Sequence, residues 1–132
     1  RALKAWFVFR ALGREGLAAR IREARRLARL VAGWIESDER FELLAPVEMG
    51  VVCFRARAVR EGAKERLSDA VLDRLNERLL QHVNATGATY LTHTRLRGRL
   101  ALRIAVGNVL TTERHLAQAW EVVRGELGGC KL

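Results

Sequence analysis

Apolar residues recur along this chain with two periods, one helical and one strand-like. Residues Ala2–Leu12 are apolar nearly all round and stop at Gly13, which predicts a short helix that needs burial on every side. Leu17–Ser37 predicts a long amphipathic helix. Ile21, Ala24, Ala28, Val31 and Ile35 share one face, with Leu27 and Trp34 beside them, and Arg22, Arg25, Arg26 and Arg29 take the other. Phe41–Ala45 reads as a short strand halted by Pro46, and Val51–Arg57 as a second strand rich in β-branched and aromatic residues. Glu61-Gly62 marks a loop. Lys64–Asn84 predicts a helix, with Leu67, Val71, Leu75, Leu79 and Val83 at every fourth position and Gly87 as its stop.

Tyr90–Leu96 and Arg99–Val106 predict two strands joined by Arg97-Gly98, a spacing that suits a two-residue hairpin turn. Thr111 or Thr112 can cap a last helix striped by Leu116, Trp120, Val123 and Leu127, and Glu113 suits the positive end of its dipole. Gly128-Gly129 ends it. Helix, long helix, strand, strand, helix, hairpin, helix predicts an α+β fold: one small antiparallel sheet with helices packed on it, preceded by the long amphipathic helix.

Composition narrows this little. The 132 residues make one domain's worth of chain, and 49% apolar content excludes a disordered one. No apolar run approaches the roughly 20 residues of a membrane span, so no membrane partner is expected. Starting at Arg1, inside an apparent helix and without a hydrophobic leader, the chain reads as a fragment or a truncated frame and not as a signal peptide. Cys53 in an apolar strand reads as a buried inert thiol and Cys130 in a Gly-rich tail as a loose one, which fits a reducing cytoplasm.

The net charge of +9 leaves open a second kind of function, a free-standing basic domain for nucleic acid or an acidic protein. Nucleic acid is the weaker partner. The aromatics do not interleave with the arginines, and no helix-turn-helix is recognisable. His82, His93 and His115 have no metal-ligand spacing with the cysteines, and there is no Gly-rich phosphate loop or nucleophile elbow.

Arg103 is the candidate for chemistry. On its strand Leu100, Leu102, Ile104 and Val106 point one way, to the core, and Arg99, Ala101, Arg103 and Ala105 point the other. Two alanines leave space around the guanidinium. Its planar fork suits a carboxylate or phosphate, and a structural ion pair is the competing role.

Four blocks, in order, are similar to one enzyme family. RALKAWFVFRALGREGLAARI (Arg1–Ile21), DERFELLAPVEMGVVCFR (Asp38–Arg55), LNERLLQHVNATGATYLTHT (Leu75–Thr94) and LALRIAVGNVLTTERHLAQAW (Leu100–Trp120) together resemble the C-terminal small domain of the group II pyridoxal-phosphate-dependent amino-acid decarboxylases of the aromatic-L-amino-acid type. The resemblance implies residues 1–37 as leading helices and 38–132 as the α+β unit of a fold-type I enzyme. It implies pyridoxal 5'-phosphate as cofactor, an amino-acid substrate, a large cofactor-binding domain as partner, and a homodimer. In that family the Schiff-base lysine follows a histidine; no His-Lys pair occurs here, so no catalytic or cofactor-binding residue carries over and the chain alone is expected to be inactive. Arg103, in LRIAVGN, matches the strand arginine that binds a substrate carboxylate in the glutamate decarboxylase branch.

Overall fold

The computed structural model describes residues 2–57 and 67–130. Helix α1 runs Ala2–Glu36 but is two helices joined at Gly13, whose φ of 62° and ψ of −178° are open to glycine alone. The two predicted helices are therefore present, with the break at the predicted residue. Strands β1 (Phe41–Leu43) and β2 (Val51–Ala56) follow, then α2 (Asp69–Ala85), β3 (Thr92–Leu96), β4 (Arg99–Ala105) and α3 (Glu113–Gly129). The sheet is antiparallel throughout, in the order β1-β2-β4-β3.

One face of the sheet makes the core. Val52, Phe54 and Ala56 of β2 and Leu100, Leu102 and Ile104 of β4 meet Leu27, Ala28, Val31 and Ile35 of α1 and Leu72, Leu75, Leu79 and Val83 of α2. Helix α3 packs on the other two helices, and its Trp120 ring lies 4.8 Å from that of Phe41 and 6.0 Å from that of Phe54. Burying one large side chain of this kind is worth about 1.5–3 kcal/mol, so this stripe stabilises the fold more than any surface pair.

Differences from the sequence pattern have local causes. A four-residue repeat drifts by about 40° per step around a helix. The buried face of α2 therefore passes through Leu72 and Asn76, while Val71 is only half-buried. Asn76 is buried without cost, because its Oδ1 accepts from Ala56 N–H at 2.7 Å and its Nδ2 donates to the carbonyls of Ala56 and Leu72. The predicted start of this helix, at residues 64–66, lies outside the described residues, as does the Glu61-Gly62 loop. Tyr90 is left out of β3. The Asn84 amide occupies both backbone groups of Leu91, at 2.8 and 3.1 Å, so the ladder begins at Thr92. On α1, Ile21 is exposed rather than buried, because core burial on that helix begins at Leu27.

The hairpin turn is as expected. Arg97 and Gly98 both have positive φ, 52° and 80°, the geometry of a tight two-residue turn. Asp73 of α2 then holds the hairpin to the helix layer, accepting from Leu100 N–H at 2.9 Å and from Arg95 at 2.8 Å. Thr112 is the cap of α3, in a reciprocal pair with His115 rather than with an acid.

Candidate functional site

Among the described residues, the helices pack on the core face and leave the second face of the sheet without one. Alternation puts Val51, Cys53 and Arg55 of β2, Thr92 and Thr94 of β3, and Arg99, Ala101, Arg103 and Ala105 of β4 on it. Arg103 is the middle of a row: the register sets Cys53 opposite it on one side and Thr92 on the other. The flanking alanines are not equivalent. Ala101 is fully buried and Ala105 is exposed, so the space beside the guanidinium opens at the Ala105 end only.

Arg103 is half-buried and, among the described residues, has no counter-charge. Among the described residues it enters no ion pair, and its Nε is buried with no hydrogen-bond partner. Such an arrangement is costly without an acceptor and gains most from an anion arriving from outside. The guanidinium also acts on the Cys53 thiol. Burial pushes that thiol up, and Arg103 pulls it part of the way back.

Two residues along β2 from Cys53, Arg55 has what Arg103 lacks. It is 4% exposed. It donates to Glu42 at 2.6 Å and to Asp69 at 2.9 Å. Glu42 also takes Arg57 at 3.2 Å, and Asp69 takes Arg99 at 3.3 Å. The carboxyls respond. Hydrogen bonding from Arg55 holds Asp69 below the usual carboxylate range. Burial works to raise Glu42, but hydrogen bonds and charge from Arg55 and Arg57 together bring it lower. Sequence alone did not single out Arg55. Its signal was present in Glu42, an acid on a neighbouring strand, but the pairing needs the β1–β2 register.

A cavity of about 770 Å³ lies elsewhere, between the end of α1 and α3, lined by Trp34, Asp38, Arg40, Trp120, Glu121 and Arg124 among others. Its charges satisfy one another. Asp38 accepts from Arg40 at 2.7 Å and Arg124 at 3.2 Å, and Arg124 also donates to Glu121. Asp38 is lowered to about 2, chiefly by the Arg40 hydrogen bond. This is a brace between helix and strand.

The remaining sequence candidates scatter. His93 is exposed on the edge strand, and the described residues hold no group of three His, Cys, Asp or Glu arranged for a metal. The arginine face of α1 is not a free cationic stripe. Arg26 is engaged by Glu23 at 2.9 Å and by Glu113 at 3.5 Å, and Arg25 is half-buried, its Nε lacking an acceptor as that of Arg103 does. Cys130 is not loose: it is half-buried against the core, with Sγ 3.5 Å from Nδ1 of His82. Leu3, Trp6, Phe7, Val8 and Phe9 are all exposed on the first part of α1, as its all-round apolarity implied. No helix of the described residues is long and apolar enough to cross a membrane.

Comparison with known proteins gives one consistent answer. The conserved domain of pyridoxal-dependent decarboxylases matches residues 1–57. A tryptophan decarboxylase of Camptotheca acuminata is 40% identical over 124 residues, which is 94% of this chain and 24% of that protein. A tyrosine decarboxylase of Narcissus pseudonarcissus is 39% identical over 127 residues, again 94% and 24%. Among solved structures, Oryza sativa TDC with PLP and tryptamine superimposes with a TM-score of 0.84 at 34% identity, covering 96% of this chain and 26% of that one. The chain thus spans about a quarter of the length of the curated relatives it matches. The alternative of a free-standing basic domain finds no support among these matches.

Proposed function

We propose, since this chain belongs to the pyridoxal-dependent decarboxylase family, that it is the C-terminal small domain of an enzyme removing the α-carboxylate of an aromatic or related L-amino acid. The products are carbon dioxide and the amine. The carrying observation is that the match runs through the whole α+β unit and its leading helices, not through one motif. In this reading residues 38–132 are the small domain, and residues 1–37 lead to it from a large domain that holds the cofactor. The exposed apolar helix supports such a partner, because Leu3, Trp6, Phe7, Val8 and Phe9 need burial that the other described residues do not supply. A homodimeric assembly belongs to the same reading. So does a cytoplasmic setting, with which two free cysteines agree.

Pyridoxal phosphate supplies the electron sink for such a reaction when bound. The described residues do not fit it. Lys4 is the one lysine among them, and it is exposed on the first turn of α1. What this chain contributes is Arg103. Its guanidinium, which enters no ion pair among the described residues and lies on the sheet face opposite the core, is suited to hold a carboxylate of the substrate by two parallel hydrogen bonds.

A chimaera tests this: the present chain replaces the matching quarter of the Camptotheca acuminata tryptophan decarboxylase. Once folded and loaded with cofactor, it should release carbon dioxide and amine from L-tryptophan or L-tyrosine. The isolated chain should release neither. A loaded, folded chimaera that turns over no aromatic amino acid would overturn the reading.

A further inference from the structure

We propose that Cys53 is a modifiable thiol inside the Arg103 recess, placed so that a carboxylate-bearing electrophile attracted by Arg103 is delivered to its sulfur. This rests on the reading of Arg103 as a ligand-facing group, but it makes a demand that the chain can meet or fail by itself. Cys53 and Arg103 are direct cross-strand partners on the helix-free face. Side chains so paired have Cβ atoms about 5 Å apart. Cys53 is half-buried and not in a disulfide. Burial raises the Cys53 thiol, and the Arg103 charge across the strand pair opposes that rise. Among the described residues the guanidinium enters no ion pair, and its Nε has no acceptor. An anion resting on Arg103 therefore rests within reach of the sulfur.

Iodoacetate carries one carbon between its carboxylate and its leaving group, which matches this spacing. The thiol gives its proton to solvent, the thiolate sulfur attacks the methylene carbon, an S–C bond forms as the C–I bond breaks, and iodide departs. No oxidant or reductant is required. The new carboxylate ends beside Arg103 and occupies the place an incoming ligand would take. Covalent modification at Cys53 thus closes the Arg103 site.

Iodoacetate and iodoacetamide differ in charge but not in reacting carbon. The ratio of their rates at one cysteine therefore cancels that cysteine's thiolate fraction and burial. Cys130 is the internal reference: it is half-buried too, and burial and Glu126 push its thiol up while Arg78 opposes them. Rates at the two cysteines of the intact chain are separated by peptide mass spectrometry. The iodoacetate-to-iodoacetamide ratio should be about fivefold higher at Cys53 than at Cys130 at low salt. It should fall toward the Cys130 value at about 0.5 M salt. Arg103→Gln should abolish the excess and Arg103→Lys should keep most of it, with circular dichroism confirming that each variant is folded. Should Arg103→Gln unfold the chain, the salt dependence in the unmodified sequence decides. Equal ratios at both cysteines, an excess that survives Arg103→Gln, or a Cys53 inert to both reagents would overturn the proposal. Failure of the enzymatic reading appears elsewhere, as a loaded chimaera without turnover whose Cys53 is still alkylated selectively by the anion.

Discussion

Arg55 and Arg103 sit on the same face of one sheet, on neighbouring strands, and their surroundings differ in every respect that matters for a charge. Arg55 is buried under two carboxylates, and a chain of ion pairs runs from Arg57 through Glu42, Arg55 and Asp69 to Arg99. Arg103 is half-buried, faces a thiol and a threonine, and has a nitrogen without an acceptor. A protein interior tolerates a buried guanidinium when counter-charges come with it. Where none comes, the unmatched group points to something that arrives later. The difference separates an arginine tied into the fold by counter-charges from one with an unfilled donor, to which we assign the ligand, although the two have the same residue type and similar strand positions.

The contrast can be broken most directly at Arg55. Arg55→Met should destabilise the chain by about 3 kcal/mol, because it removes the buried central cation and leaves Glu42 and Asp69 only the exposed Arg57 and Arg99. Chemical denaturation measures this. A loss under about 0.5 kcal/mol would mean that the ion-pair chain is ornamental and the comparison empty. Arg103→Ala should do the reverse. In the decarboxylase chimaera it should lower kcat/KM by about 100-fold, the loss of one bidentate charged contact. The melting temperature should hardly move. A stability loss matching that of Arg55→Met would make Arg103 a structural residue.

The two alanines beside Arg103 sharpen the same point with neutral atoms. Ala101→Leu should cost about 2 kcal/mol, since a fully buried alanine leaves no room for three more carbons. Ala105→Leu should change stability by less than about 0.5 kcal/mol, because that side is open. In the chimaera it should nonetheless raise KM by narrowing the mouth of the recess. Equal stability effects of the two substitutions would contradict the one-sided opening.

The smallest effect lies in the acid limb of the stability curve. Glu42 and Asp69 are both depressed in the folded chain, so their contribution is complete above the ordinary carboxylate value of about 4. It drains away as pH falls through their lowered values. Asp38, lowered to about 2, acts in the same direction from the other end of the molecule. Between about pH 5 and pH 2 the unmodified chain should therefore lose stability more steeply than Arg55→Met, while Arg103→Gln should keep the full slope. Parallel curves for all three would sever Arg55 from the acid response.

The periodic segments of this chain were legible from composition and spacing. The break at Gly13, the Arg97-Gly98 turn, the Thr112 cap and the Leu116–Trp120–Val123 stripe depend on i to i+4 relations, which the sequence states outright. So was the placement of Arg103 opposite the core face, since strand alternation is local. Other features depend on pairs far apart in sequence. Whether Arg55 or Arg103 would find an acid turned on the β1–β2 register and on where the first turn of α2 falls, 13 and 14 residues away. The fate of Tyr90 turned on Asn84, whose amide takes the backbone of Leu91 before the ladder can. Local pattern determined which residues form each helix and strand and which way each side chain points. Tertiary packing decided which charges are neutralised and which stay open, because electrostatic partnership depends on distance through space and periodicity carries no information about that.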